Sequence, residues 1–494
     1  MRQLSPSDAL FLYLDNDSVS AHGTFVWIYD ASACANGGVT RSALMEHLKK
    51  FLPHFPELTQ KLHRLPLEFD YPYWVEDDSF ELLYHVREQT LPAQCNWRGF
   101  CEAVANIHEQ SLDFKHPLWE MTLLNAPGGV QGLPEHCFAI TLKFHHAAID
   151  GATGINIISA IHDGGSEPAR AAETESTEAR KPELYESLFR AGIRTMSSMD
   201  KLGGMLRSRF SDDDDEQQQN AESSHSDDGD SSDIPQTLFN QSVSSEHVWE
   251  SRVFDLDAIK AMRKAVHGAT VNDVLLTLCG GALRHYLLKH NALPELAMKA
   301  GCPINIRTEG EAQSGGNMIY AMIVSMHTSI EDPMERLRAI KGSSTIAKQQ
   351  IAEQDPRKMV SIVSLLPAQT QAAIGRLFDI ALPRLGRAFK FNGSVSNLPG
   401  PQQELSLLGG RLLTINAAMP VMNGFGLFIG LCTYNGKLSV CLSSAANIVK
   451  DPGFLGDCVE TSFAELQAAI QTTTRRANQS KKGKANPKTK RNAH

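Results

Sequence analysis

The stretch CFAITLKFHHAAIDGATG, Cys137 to Gly154, decides how this chain is read. Phe138, Ile140, Leu142 and Phe144 alternate with Ala139, Thr141, Lys143 and His145, a period of two that predicts a half-buried β-strand. One further extended residue puts His146 on the apolar face, where loss of water favours neutral imidazole over imidazolium. Asp150 and Gly151 mark a turn, with Gly151 supplying a backbone angle that other residues resist, and Ile155, Ile157, Ile158 and Ile161 begin a helix.

These residue types suit general-base chemistry. A hydroxyl is a poor nucleophile near neutral pH, and a base of matched pKa about 3 Å away can take its proton as the new bond forms. His146, His145 and Asp150 are the candidate catalytic set: His146 is the base, and His145 points the other way in a structural role. Asp150 either stiffens the turn by pairing with a distant arginine or orients the ring. A metal held by His145, His146 and Asp150 is awkward, because adjacent strand residues face opposite sides.

Working outward, 494 residues leave room for two or more lobes with real cores. Apolar residues at 42% and charged residues at 21% exclude fibrous and wholly disordered classes, and a net charge of −9 argues against a nucleic-acid binder. Nine cysteines without a CxxC pair suit reduced thiols better than a disulfide framework or a zinc site. No targeting segment is evident: the first apolar stretch, Ala9–Leu14, is short and follows Asp8. The uncharged window Leu412–Gly436 carries Pro420, Asn423 and Gly424, and predicts two buried strands joined by a turn rather than a membrane span.

Composition divides the chain. Residues 1–165 form an N-terminal lobe with the histidine motif, 166–245 a linker, 246–470 a C-terminal lobe and 471–494 a basic disordered tail. Within the linker, Glu186–Phe210 has the spacing of an amphipathic helix, read either as packed on the protein or as lying on an anionic lipid surface. Asp212–Asp233 holds ten acidic residues and no Lys or Arg, a solvated disordered loop. The tail, from Arg475 to Arg491, is either simply solvated or attracted to anionic lipid. Both halves alternate helix and strand patterns, so two α/β lobes are expected.

The segment His145–Gly151, HHAAIDG, resembles the HHxxxDG signature of the CoA-dependent acyltransferase superfamily. Further phrases recur in one order: PYWVEDDSFELLYHVR (Pro72–Arg87), Pro117-Leu118-Trp119-Glu120, Asn272-Asp273, PINIR (Pro303–Arg307), Gly316-Asn317 and SNLPGP (Ser396–Pro401). From about Leu4 to Leu466 the set resembles the bacterial wax ester synthase/acyl-CoA:diacylglycerol acyltransferase family. The resemblance implies an α/β, two-lobe fold of the chloramphenicol acetyltransferase type, with an active-site channel between the lobes. It implies that His146 is the base, Asp150 a structural ion-pair partner, and acyl-CoA a substrate, with no metal or cofactor.

Other motif positions carry two readings. Pro117, Leu118, Trp119, Asn272, Asp273, Arg307 and Asn397 are candidate substrate-binding residues. Trp119 lines an acyl channel or is a core aromatic; Asp273 closes a capping box with Thr270, leaving Asn272 better placed toward the channel. Arg307 pairs with Asp150, meets coenzyme A phosphates or serves ordinary surface pairing. Asn397–Pro401 is expected to be a turn, since Pro-Gly-Pro opposes helix and central strand. One departure is Phe428, where the family tends to carry Asn, which removes a donor and an acceptor.

The expected function is O-acyl transfer from a long-chain acyl-CoA to a fatty alcohol, diacylglycerol or both. The expected location is cytoplasmic, or peripheral on the inner membrane or lipid inclusions. Two alternatives are a superfamily or condensation-type enzyme acting on a polar hydroxyl or amine, and a non-catalytic lipid-surface protein.

Overall fold

The computed structural model describes residues 2–16, 19, 21–34, 38–165, 234–305, 319–354, 365–385 and 389–484. Alternating β-rich segments assemble into two six-stranded sheets. The first runs β12 (Ser406–Leu407), β13 (Gly410–Ala418), β2 (His22–Asp30), β7 (Cys137–His145), β6 (Trp119–Asn125) and β5 (Val86–Thr90). The second runs β10 (Ile319–Ser325), β9 (Lys299–Asn305), β11 (Gly393–Pro399), β14 (Leu427–Tyr434), β15 (Lys437–Ala445) and β8 (His247–Asp255). A small sheet joins β1 (Arg2–Gln3), β4 (Tyr73–Glu76) and β3 (Gln60–His63).

Strand β7 is buried on both faces rather than half-buried as its alternation suggested. The Gly151–Ile161 helix packs on the same sheet, so closely that a Cβ on Gly154 would stand 2.4 Å from Cε2 of Phe25 on the neighbouring β2, whose ring stacks on Phe144. The opposite face is polar yet covered by the Trp97–Glu109 helix. Lys143 there donates to the carbonyls of Ile107 (3.1 Å) and Gln110 (2.7 Å) and lies 3.1 Å from Glu120. Alternation therefore marks an apolar face and a covered face whose charge, Lys143, is held by partners, since a buried charge persists only with them.

The lobes do not separate cleanly in chain order. Strands β12 and β13 come from the later half of the chain, yet β13 pairs antiparallel with β2 and covers that strand's outer edge. Trp249 Nε1 donates to the Ala417 carbonyl (3.1 Å) and Ser251 Oγ to Asn416 Oδ1 (2.8 Å), which stitches the second sheet to β13. Buried apolar residues of both lobes form one connected cluster. The Leu412–Gly436 window is two buried strands, as expected, but β13 and β14 belong to different sheets. Among the described residues no helix is long and apolar enough to cross a membrane.

Two expectations are corrected. SNLPGP is not wholly a turn: β11 runs through Asn397 to Pro399, parallel to β14. Among the described residues β11 meets β9 only at Gly393 and Ser394, so Pro399 occupies an open edge where its missing N–H breaks no ladder. The basic tail is helical to Lys484, as the end of a helix that starts at Pro452. Within it the hydroxyls of Thr472, Thr473 and Thr474 donate to carbonyls one turn back. The Glu186–Phe210 helix, the acidic loop, and residues 485–494 lie outside the described residues.

Candidate active site

His146 follows the last residue of β7, and its backbone N–H donates to the Ala21 carbonyl (2.9 Å), which extends the pairing with the chain entering β2. As a residue His146 is half-buried, and its Nδ1 is shut from solvent. Its ring stacks on Phe11, with centroids 5.3 Å apart, and meets the edge of Phe144 at 5.8 Å. Burial among these rings lowers its pKa to about 4; His145 lowers it further, and the Asp150 carboxylate works in the opposite direction. The imidazole is thus neutral at physiological pH and able to accept a proton.

Asp150 caps the Gly151–Ile161 helix, accepting from the Thr153 N–H at 2.7 Å. Gly151 is absent from the left-handed backbone region, so conformational freedom is not its role here. A Cβ at Gly151 would sit 3.3 Å from Leu398 Cδ2, which identifies a close approach to β11 of the second sheet. The turn after the histidines therefore abuts the SNLPGP strand, where Asn397 is exposed and pairs in register with Leu431.

The Pro117-Leu118-Trp119 phrase supports the site from behind. The Leu118 carbonyl accepts the His145 N–H (3.0 Å), and the Leu118 side chain packs in a cluster with Ala147, while Pro117 is buried beside it. Trp119 is a core aromatic: it is 1% exposed, donates to the Leu58 carbonyl (2.8 Å) and stacks on His85 at 4.6 Å. Asp273 closes the expected capping box with Thr270 and accepts a further bond from Ser344 (2.6 Å). That occupies its carboxylate, while Asn272 is half-buried. Phe428 is buried in the core, in register with Ser394 and Ser443. Arg307, Ile306 and Gly316-Asn317 lie outside the described residues.

Sequence reasoning missed Phe11, Asp15 and His22. Asp15, His22 and His145 bring ligand atoms within 4.8 Å of one another. The set fits a metal poorly, because His145 Nδ1 accepts the Ala147 N–H (3.0 Å), so in the neutral ring Nε2 carries the proton and has no lone pair to give. The fourfold spacing of Phe11 and Asp15 was visible in the sequence, but nothing local ties either to a motif more than a hundred residues away.

Similarity to known proteins covers most of the chain. Residues 4–275 match the wax ester synthase/diacylglycerol acyltransferase catalytic domain, and residues 315–467 match the WS/DGAT C-terminal domain. A Mycobacterium tuberculosis protein provisionally named diacylglycerol O-acyltransferase Rv1760 is 28% identical over 486 residues, covering 94% of this chain and 90% of its own. Another from that organism, Rv3740c, named in the same way, is 29% identical over 473 residues, with 94% and 100% covered. Among solved structures, the wax ester synthase/diacylglycerol acyltransferase from Marinobacter aquaeolei superposes with a TM-score of 0.65 at 23% identity, over 95% of this chain and 100% of that one. The starter condensation domain of rhizomide synthetase gives 0.51 at 13% identity, with 95% of each covered. Both share the two-lobe CoA-dependent acyltransferase fold. Since the catalytic-domain match alone spans more than half of its length, this chain belongs to the wax ester synthase/diacylglycerol acyltransferase family.

Proposed function

We propose that this acyltransferase moves a long-chain acyl group from acyl-CoA to a fatty alcohol, to diacylglycerol or to both, with His146 as general base. The observation that carries the reading is half-buried His146, its ring held between Phe11 and Phe144 where the turn meets β11. A neutral imidazole in that position takes the acceptor's hydroxyl proton as its oxygen attacks the thioester carbonyl. Collapse of the tetrahedral intermediate breaks the C–S bond and expels coenzyme A thiolate, which takes from the imidazolium the proton that the acceptor hydroxyl gave up. No covalent acyl-enzyme, metal or cofactor is part of this scheme.

Support for acyl-CoA as donor comes from the family and from the rhizomide synthetase domain, which was solved with C8-CoA. Asp150 contributes by capping the helix and by its charge. Apolar acceptors also favour a peripheral position on membranes or lipid inclusions.

The test mixes purified protein with palmitoyl-CoA and offers hexadecanol, diacylglycerol or a polar alcohol, then measures free coenzyme A and neutral lipid. Wax ester or triacylglycerol formed by the native protein and lost in His146→Ala supports the reading. Coenzyme A release with polar acceptors alone overturns it in favour of a polar-acceptor transferase.

A further inference from the structure

The N-terminal helix Pro6–Leu14 and the residue that ends it, Asp15, meet both histidines of the motif. Phe11 stacks on His146, and four residues later Asp15 Oδ2 lies 3.3 Å from His145 Nε2. Asp15 is itself placed by the Ala21 N–H, which donates to its other oxygen at 3.3 Å. The helix is capped by Ser5 and pressed from behind by the Ala368–Leu385 helix, where a Cβ on Gly375 would stand 2.3 Å from the Tyr13 carbonyl oxygen.

His145 is 0% exposed and hemmed edge-on by His22 and Phe114, each 5.6 Å away. Cross-strand register sets His22 directly opposite His145, with its Nε2 4.0 Å from the same Asp15 oxygen. Of the two neutral tautomers of His145, one fits this enclosure. With the proton on Nε2, Nδ1 accepts the Ala147 N–H, and Nε2 lies 3.3 Å from the carboxylate oxygen, which stands off the line of a hydrogen bond. With the proton on Nδ1, two N–H groups would collide and a nitrogen lone pair would face an anion.

We propose that Asp15 is a positioning residue for the transfer reaction: it holds His145 in the Nε2–H tautomer, so that the bond from Ala147 closes tightly around His146. The two ends of that bond, His145 and Ala147, flank His146 in the chain, so the proton on one buried ring sets where the neighbouring ring can stand. This role rests on His146 being the base proposed above, whereas the tautomer does not.

The experiment uses the full chain with ring-¹⁵N histidine, comparing native protein, Asp15→Ala, Asp15→Asn and His145→Gln. Imidazole ¹H–¹⁵N spectra report the His145 tautomer, assigned by the signal lost in His145→Gln, with no turnover required. Expected are an Nε2–H pattern in native protein and its loss or exchange broadening in Asp15→Ala. Since a misplacement near 1 Å can cost about 100-fold, Asp15→Ala is expected to lower kcat by about 10- to 100-fold with KM for acyl-CoA changed less than about 2-fold. Asp15→Asn, which keeps one acceptor, retains a kcat at least about 5-fold above the alanine variant.

In a His145→Gln background, Asp15→Ala has no further effect on kcat. A native Nδ1–H pattern, an unchanged tautomer in Asp15→Ala, an unchanged kcat, or stoichiometric zinc in the purified protein overturns the proposal. Failure of the native protein to turn over acyl-CoA with every acceptor would overturn the functional reading instead, leaving the spectra to decide the tautomer.

Discussion

Acidification is the sharpest probe of His146. Only the neutral ring accepts a proton, so kcat/KM follows the fraction unprotonated in the free enzyme. With burial holding the pKa at about 4, about nine-tenths of the ring is neutral at pH 5. A histidine exposed to water, at about 6.5, would be only about 3% neutral there, so the two situations differ by about 30-fold in relative rate. The assay is the initial rate of coenzyme A release at sub-saturating palmitoyl-CoA from pH 4 to 8, with circular dichroism at each pH to normalise for folded protein.

Two substitutions should move the acid limb in opposite directions. Phe11→Ala strips one wall from the ring and admits water, so the pKa rises; a rise of about one unit brings the pH 5 rate to about half its plateau. Asp150→Asn keeps an oxygen for the Thr153 N–H but removes the carboxylate that favours imidazolium, so the pKa falls. A native limb near 6.5, or two variants that shift the same way, would refute the account of His146 as a desolvated base opposed by Asp150.

Other outcomes follow from the packing. Asp273→Ala should cost about 2 to 4 kcal/mol by denaturant unfolding, with KM for both substrates unchanged, because it strips acceptors from Thr270 and Ser344. Trp119→Phe should cost about 1 to 3 kcal/mol through loss of the bond to the Leu58 carbonyl, while leaving acyl chain-length preference unmoved; a shifted preference would place that ring in the channel after all. Gly154→Ala should destabilise by about 1 to 3 kcal/mol, since its methyl group must displace Phe25, and thermal unfolding reads it directly. His162 is 5% exposed, and burial lowers its pKa to about 4. The unfolded chain therefore takes up a proton below about pH 6.5 that the folded one refuses. The contribution of this residue to stability is unaffected above that pH, falls below it and levels near pH 4 after a loss of about 3 kcal/mol, on top of losses from the other buried histidines; His162→Gln should make the curve shallower by that amount.

Local chemistry was the legible part of this protein. The β7 alternation, the Asp150 turn and the Thr270–Asp273 capping box are each decided within a few residues, and each stands where the spacing put it. What escaped was non-local. Nothing near Lys143 says that helix carbonyls wait above it, so a covered polar face read as a solvated one. Nothing near Pro399 says that β11 has a free edge, so a strand read as a turn. Gly151 was assigned a backbone role because a DG pair suggests a turn, whereas its use depends on Leu398, almost 250 residues later.

The same non-locality explains where the reactive ring stands. A base for water-insoluble acceptors must be shielded enough to remain neutral, yet open enough to meet two substrates at once, and the interior of one sheet offers only the first condition. Strand β7 carries its side chains through a fully buried layer and ends at His145, so His146 is the first residue to leave that layer. The next four residues lead to a helix start that touches β11, and β13 ties the sheets together on the far side of β2. Half-burial of His146 is thus a consequence of where the strand stops relative to the second lobe. On this reasoning, a one-residue insertion between Phe144 and His145 should abolish acyl transfer even if the fold survives, because it would exchange the faces of the two histidines.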